Sequence, residues 1–341
     1  MTVYQNIPKL KNYIETAERI VILSHFNPDG DTIGASVAWY DYLQGLGKQA
    51  QIIAPNDFPQ NLKWMKGSET VLIANQHPEQ AEELIMSADL MICNDFQSFP
   101  RLDKLEEIAQ KSKATKVLVD HHIGPDVEQF DLVFSTVDVS STCELVFNLI
   151  TRLSPESPVS TAVAEAIFTG IMTDTGSFSY SCNYKETFEV VAKLVGLGID
   201  TCRIHREIYD TFSEDRLRLL GHCLTNRLTV LPEFSTAYMY LTKEDLRTYN
   251  YIPGDTEGIV NYALSIKNIE FAAFFTEREN RVRISFRSKG AVDCNAFAKT
   301  HYDGGGHYNA SGGNSFVSIQ ETIQNFEKLL PQIKKKQFSK P

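Results

Sequence analysis

The sequence predicts an α/β protein: an N-terminal, mostly parallel sheet with helices on both faces, then a smaller C-terminal α/β domain, with a cleft between them. Three observations lead there. At 341 residues the chain is longer than one ordinary core supports, so two domains are expected. Its first half alternates short apolar runs with helical patterns, as parallel strands joined by helices do. From about residue 185 that alternation gives way to consecutive helices and then to hairpin patterns.

Taken in order, IVILSH (20–25) reads as a buried strand and GDTIGASVAWYDYLQGLG as the helix after it. KQAQIIAP and ETVLIAN read as further strands, and PEQAEELIMSA as a helix. DLMICND (89–95) and TKVLVDHH (115–122) are strands, with RLDKLEEIAQKS as the helix between them. SSTCELVFNLITRL and STAVAEAIFTGIMTD are helical patterns that close this part. KETFEVVAKLVGLG, IDTCRIHREIYD and SEDRLRLLGHCLTN are successive helices. RLTVLPEFSTAYMYL reads as a hairpin, EGIVNYALSI as a helix, and IEFAAFFTERENRVRISFRS as a second hairpin turning near Glu279-Asn280. CNAFAKTHY is a short helix leading to a glycine-rich loop. The domain expectation is therefore 1–190 for a catalytic, metal-binding domain, 191–225 for a helical connector, and 226–341 for a substrate-binding domain.

Hydrophobic residues make up 43 % of the chain and charged residues 22 %, the balance of a folded globular protein. No run of about 18 apolar residues occurs, and the opening MTVYQNIPKLKNYIETAERI lacks a signal-peptide core, so no membrane partner is expected. Cys93, Cys143, Cys182, Cys202, Cys223 and Cys294 form no C-x-x-C pair, which reads as a reduced, cytoplasmic protein. The net charge of −10 argues against coating long nucleic acid. Residues 1–225 hold 18 Lys/Arg against 31 Asp/Glu, while residues 226–341 hold 15 against 12. This split suggests cations in the first half and anionic substrate contacts in the second, although Lys334-Lys335-Lys336 alone equals the basic excess.

Four clusters of metal-type ligands fall where first-half elements end: His25, Asp29 and Asp31 in SHFNPDGDTIG; Asp95 after DLMICN; Asp120-His121-His122; and Asp174 in MTDTGSF. In a parallel sheet the carboxyl ends of the strands line one crevice, where such residues can converge. Imidazole and carboxylate without thiolate disfavour a structural zinc site and suit Mn²⁺, with Mg²⁺ less well matched. Two His and four Asp are enough for two ions if one carboxylate bridges, and such a pair supports in-line phosphoryl displacement. Each residue alone has a plain alternative: Asp95 as a turn residue, Asp174 as a helix end, His25 as a core histidine.

The motifs H-x-x-x-D-x-D, a lone Asp after an apolar strand, D-H-H and D-T-G-S-F resemble those of the DHH phosphoesterase superfamily. SFRS (285–288) and GGGHYNASGG (304–313) resemble its DHHA1 companion domain, so the resemblance spans nearly the whole chain. It is similar to the standalone members that act as nanoRNases and as phosphatases of 3′-phosphoadenosine 5′-phosphate (pAp). The resemblance implies one ion on His25, Asp29 and Asp95, and another on Asp31, Asp95, His121 and Asp174, with Asp95 as the bridge; Co²⁺ joins Mn²⁺ and Mg²⁺ as a candidate. It implies that Asp120 orients a neighbouring residue and that His122 faces the scissile phosphate. Adjacent residues on a strand point apart, so by spacing alone His121 and His122 should not both face one centre. The family often has a basic residue after the Phe of its fourth motif, where this chain has Ser179.

Ser140-Ser141-Thr142 invites a nucleophile, but S-T-C-E from Ser141 to Glu144 fits a helix capping box. Arg101, six residues past Asp95, is a candidate phosphate contact or a solvated arginine. In the second half, Gly304-Gly305-Gly306 lets backbone N–H groups approach an anion, and His307 adds a donor. Arg283 and Arg287 share one strand face, with Ser288 beside them, completing a candidate substrate cradle. The expected function is two-metal hydrolysis of short oligoribonucleotides to nucleoside 5′-monophosphates, of pAp to AMP and phosphate, or of both. The alternatives are a phosphodiesterase for pApA or cyclic di-AMP, a pyrophosphatase or polyphosphatase, and a non-catalytic metal- and nucleotide-binding protein. A homodimer is compatible with all of them.

Overall fold

Strands of almost continuous apolar sequence pair side by side in the computed structural model, which describes residues 3–157, 159–179 and 182–337. Two compact units result, 1–211 and 212–341. The first begins with α1 (Ile7–Thr16), β1 (Arg19–Leu23), α2 (Gly30–Gly45), β2 (Gln49–Ala54), β3 (Leu72–Ile73), α3 (Pro78–Ser87) and β4 (Leu90–Asn94). It continues with α4 (Glu106–Lys111), β5 (Thr115–Asp120), β6 (Leu132–Ser135), α5 (Thr142–Leu153), α6 (Thr161–Asp174), α7 (Lys185–Gly196) and α8 (Thr201–Tyr209).

All six strands are parallel, in the order β3-β2-β1-β4-β5-β6, and register pairs such as Ile22 with Ile92 hold the centre. Alternation decides the two faces. Ile20 and Ile22 pack into the core with α1, α2, α5 and α6, whereas Val21 and Leu23 pack with Met91, Cys93 and Leu118 under α3 and α4. The order reverses between β1 and β4, so the crevice for a ligand opens beyond their carboxyl ends. His25 and Asp95 sit there.

Helices α2 and α6 approach closely because glycines face the contact. A Cβ on Gly34 would lie 2.5 Å from the Ala166 carbonyl oxygen, and one on Gly170 would lie 2.1 Å from Cys143 Sγ and 2.9 Å from Asp31 Oδ1. Gly170→Ala is therefore expected to cost about 1–3 kcal/mol through overpacking. Denaturant midpoints check this, and Cys143→Ala in the same background should recover part of the loss, since Sγ is the nearest obstacle.

Two sequence expectations need correction. The strand β6 was not anticipated, because LVFS is short; it pairs with β5 from Val117↔Leu132 to Asp120↔Ser135. RLDKLEEIAQKS is not one helix: a 3-10 stretch over Phe99–Leu105 is broken at Asp103 (φ 53°) before α4. Tertiary contacts decide this, since Phe99 and Leu102 are buried and the Arg101 carbonyl accepts the Phe26 N–H at 2.7 Å.

The second unit holds α9 (Glu214–Asn226), β7 (Leu228–Leu231), β8 (Thr236–Leu241), α10 (Lys243–Thr248), α11 (Ile259–Leu264), β9 (Phe271–Glu277) and β10 (Val282–Ser288). It ends with α12 (Cys294–His301), β11 (Gly305–Gly306), β12 (Ala310–Ser315) and α13 (Ile319–Gln337). The sheet order is β11-β12-β10-β9-β8-β7, antiparallel apart from β8 beside β9. Both hairpins read from sequence are present, the second turning where Arg278 N–H meets the Arg281 carbonyl. Phe271, Phe275, Phe286, Phe297 and Phe326 form the core on one face. Ala237, Met239 and Phe274 pack on the other with residues of α9 and α11. Arg227 grips Asp245 through two hydrogen bonds of 2.9 and 3.1 Å, tying the end of α9 to the start of α10. The backbone of Lys334-Lys335-Lys336 continues α13, and their side chains lie outside the described residues.

Candidate metal centre

Each first-half candidate sits at the end of a regular element. His25 follows β1, and its Nδ1 contacts the Phe26 carbonyl at 3.0 Å. A carbonyl only accepts, so Nδ1 carries a proton and Nε2 is the ring nitrogen turned to the crevice. Asp29 caps α2, accepting from the N–H groups of Asp31 and Thr32 at 3.1 Å, and Asp31 is buried in the first turn. Asp95 follows β4 in the left-handed region (φ 64°), fixed by its N–H to the Val119 carbonyl at 2.9 Å. Asp120 ends β5, and Asp174 is the last residue of α6.

The side chains converge. His25 Nε2 lies 3.8 Å from Asp29 Oδ2 and 3.5 Å from Asp95 Oδ2. His121 Nε2 lies 3.7 Å from Asp31 Oδ2, 3.6 Å from Asp95 Oδ1 and 3.4 Å from Asp174 Oδ2. These separations exceed those of good hydrogen bonds but suit donors that each reach about 2.1 Å to a shared ion. Asp95 turns one oxygen to each histidine. His122 Nδ1 is 2.7 Å from Asp120 Oδ1 and 3.7 Å from Asp95 Oδ1. The expectation from strand alternation thus fails: both rings approach Asp95 Oδ1, because the extended strand stops at Asp120 and the pleat no longer separates them.

Charge crowding supplies the test of fit. Burial, then the neighbouring Asp174, pushes Asp31 up to about 6. Burial followed by Asp31, Asp29, Asp174 and Asp120 raises Asp95 well above the ordinary carboxylate range. Asp29 is half-exposed; burial raises its pKa, but His25, the Thr32 N–H and the Arg101 charge outweigh this and hold it low. The second oxygen of the fully buried Asp120 has no hydrogen-bond partner among the described residues. So many crowded carboxylates need positive charge, and a set of carboxylate oxygens and imidazole nitrogens fits divalent cations.

Thr142, read from sequence mainly as part of a helix start, contacts the carboxylates of the centre. Its hydroxyl donates to Asp95 Oδ1 at 2.9 Å, and the N–H groups of Thr142 and Cys143 donate to Asp31 at 2.7 and 2.8 Å. The hydroxyl run divides its work: Ser141 caps α5, while Ser140 donates through N–H and hydroxyl to Glu144 Oε2. Of the expected capping box only the Ser141 half forms, since the Glu144 carboxylate takes the Ser140 N–H rather than that of Ser141, and the spacing says nothing about where the helix points.

The remaining candidates have their own surroundings. Arg101 is exposed, close enough for its charge to act on Asp29. In the second unit Arg283, Ser285 and Arg287 share the face of β10 opposite its core residues. Arg287 donates from Nη1 to the Phe286 carbonyl, while its buried Nε has no partner among the described residues. Ser288 is buried, and its hydroxyl donates to the Val292 carbonyl at 2.6 Å. Gly304 and Gly306 are required by the β11–β12 hairpin: a Cβ on Gly304 would lie 2.1 Å from the Gly312 carbonyl oxygen, and Gly306 has φ 144°. Gly305 pairs with Gly312 in that hairpin. The N–H groups of Gly306 and His307 already donate to Asn295 Oδ1 and the Ala310 carbonyl.

A model of the DHH family N-terminal domain matches residues 19–171, and one of the DHHA1 domain matches residues 235–336. A crystal structure titled as an exopolyphosphatase-related protein from Bacteroides fragilis is 41 % identical with a TM-score of 0.91, covering 96 % of this chain and 97 % of its own. The bifunctional oligoribonuclease and PAP phosphatase NrnA of Bacillus subtilis is 24 % identical over 304 residues, 89 % of this chain and 91 % of that protein. The cyclic-di-AMP phosphodiesterase GdpP of Bacillus subtilis is 27 % identical over 93 % of this chain, which spans 48 % of GdpP. With both domain models matched in order and a relative of this identity along nearly its full length, the chain belongs to the DHH–DHHA1 family.

Proposed function

We propose that this protein is a phosphoesterase that hydrolyses short oligoribonucleotides to nucleoside 5′-monophosphates and pAp to AMP and phosphate, using two divalent cations, Mn²⁺ foremost. The observation that carries the reading is Asp95, whose two oxygens face His25 on one side and His121 on the other. One ion would be held by His25, Asp29 and Asp95, and the other by Asp31, Asp95, His121 and Asp174. Bound there, the pair polarises water and the phosphoryl oxygens for in-line displacement.

The protein's own groups would do the rest. Asp120 holds the His122 ring through Nδ1, which leaves Nε2 as the atom that delivers a proton to the leaving oxygen. Arg101, whose charge acts on Asp29, would meet a phosphate oxygen. Arg283, Arg287 and His307 would hold the nucleotide in the second unit. The unmet Nε–H of Arg287 motivates a prediction: Arg287→Ala should raise KM about ten- to a hundredfold with a smaller change in kcat, the size of a charge-assisted hydrogen bond. Steady-state kinetics with pAp check it. We place the activity in the cytoplasm.

The likeness to GdpP favours a second reading, phosphodiesterase action on pApA or cyclic di-AMP. Product analysis with Mn²⁺ across pAp, pApA, cyclic di-AMP, RNAs of increasing length and polyphosphate decides between them. Fast release of monophosphates from dimers and of phosphate from pAp is the expected result. Turnover confined to cyclic di-AMP or to polyphosphate would overturn the first reading.

A further inference from the structure

We infer that Thr142, at the first position of α5, is a positioning residue that sets the geometry of one of the two cation sites, the one on the His121 side. The inference rests on the two-ion reading above. Thr142 is fully buried and acts through two atoms. Its Oγ1 donates to Asp95 Oδ1 at 2.9 Å, and its N–H donates to Asp31 Oδ2 at 2.7 Å. Those two oxygens are the ones that face His121 Nε2, at 3.6 and 3.7 Å. Asp95 Oδ2, which faces His25, receives nothing from Thr142.

A carboxylate free to rotate about its Cβ–Cγ bond would exchange its oxygens between the two sides. A hydroxyl bonded to one oxygen stops that rotation, and a rigid helix end holds the hydroxyl. Neighbouring contacts keep that end still. Ser141 Oγ accepts the Glu144 N–H at 3.1 Å, and Glu144 Oε2 accepts from Ser140 and from Thr187 of α7 at 2.7 Å. The Cys143 N–H fixes the other Asp31 oxygen. A single helix turn thus orients two of the three carboxylates of the His121 side, Asp31 and Asp95, while the His25 side depends on Asp29 and on the far oxygen of Asp95. Thr142 touches no reacting atom; it works through Asp95.

Titration calorimetry of the metal-free full chain with Mn²⁺ tests this directly. The wild type should bind two ions. Thr142→Val, which replaces the hydroxyl by a methyl of similar shape, should bind one ion normally and the other about ten- to a hundredfold more weakly. Thr142→Ser should restore the second step, and the melting temperatures of the metal-free variants should stay close to the wild type. If Thr142→Val does not fold, Thr142→Ala carries the same comparison. Two steps unchanged in Thr142→Val, both steps weakened together, or Thr142→Ser as defective as Thr142→Val would each overturn the inference. A wild type that binds fewer than two ions would instead overturn the two-ion reading itself.

Discussion

Asp95→Asn should abolish turnover, by about a thousandfold or more, while leaving the fold intact. The position explains both halves of this result. Asp95 holds a left-handed backbone conformation (φ 64°), which costs most side chains energy but which Asn adopts readily. The Thr142 hydroxyl can still bond the amide oxygen, so the local structure survives. What disappears is the negative charge that faces both histidines, and with it several kcal/mol of transition-state stabilisation; each 1.36 kcal/mol is tenfold in rate.

The same substitution should change metal-free stability in the opposite direction. Burial and four neighbouring carboxylates raise the Asp95 pKa, and burial with Asp174 pushes Asp31 up to about 6. A raised carboxylate pKa means that the folded state binds more protons than the unfolded one. Metal-free stability must then fall as pH rises from the ordinary carboxylate range through about 6. Asn removes one of the crowded charges, so the metal-free variant should melt higher than the wild type near neutral pH. It should also gain less on adding Mn²⁺. Melting curves with and without Mn²⁺ at pH 5 and pH 8 measure this. Residual turnover above a few per cent at saturating Mn²⁺ would take Asp95 out of the bridging position.

His121→Ala and His122→Ala should fail in different ways, although the two residues are adjacent and both rings reach Asp95 Oδ1. Their other partners separate them. His121 Nε2 faces Asp31 and Asp174 as well, so its loss should weaken Mn²⁺ binding at least about tenfold. His122 is tied to Asp120 at 2.7 Å, an arrangement that orients a ring for proton transfer. Its loss should lower kcat by about 10²- to 10⁴-fold with Mn²⁺ affinity nearly unchanged. Calorimetry beside kcat measurements tells the two apart. Equal losses of affinity in both variants would defeat the division of roles.

Much of this was readable in the sequence because it is local. Buried parallel strands need continuous apolar runs, so IVIL, LMICN and VLVD announced themselves, and the residues that follow such strands meet in one crevice by topology alone. His25, Asp29, Asp31, Asp95, His121 and Asp174 could therefore be named together before any contact was known. The even spacing of Arg283 and Arg287 likewise put both on one face of β10 without a structure.

Other features depended on partners distant in the chain. LVFS is too short to declare itself a strand until β5 offers it an edge, and RLDKLEE gave up its helix because Phe99 and Leu102 found the core. Strand alternation misjudged His122, since the pleat that separates neighbours ends one residue earlier. Gly170 looked like an ordinary helix residue until the packing of α5 on α6 brought Cys143 within 2.1 Å of its missing Cβ. The role of Thr142 was invisible for the same reason: a capping pattern is set within four residues, whereas the direction in which the capped helix points is set by packing across the whole unit. Which groups could carry charge to the crevice followed from residue order alone. Which oxygen of Asp95 faces which histidine followed from packing, because that choice is made by a hydroxyl 47 residues away.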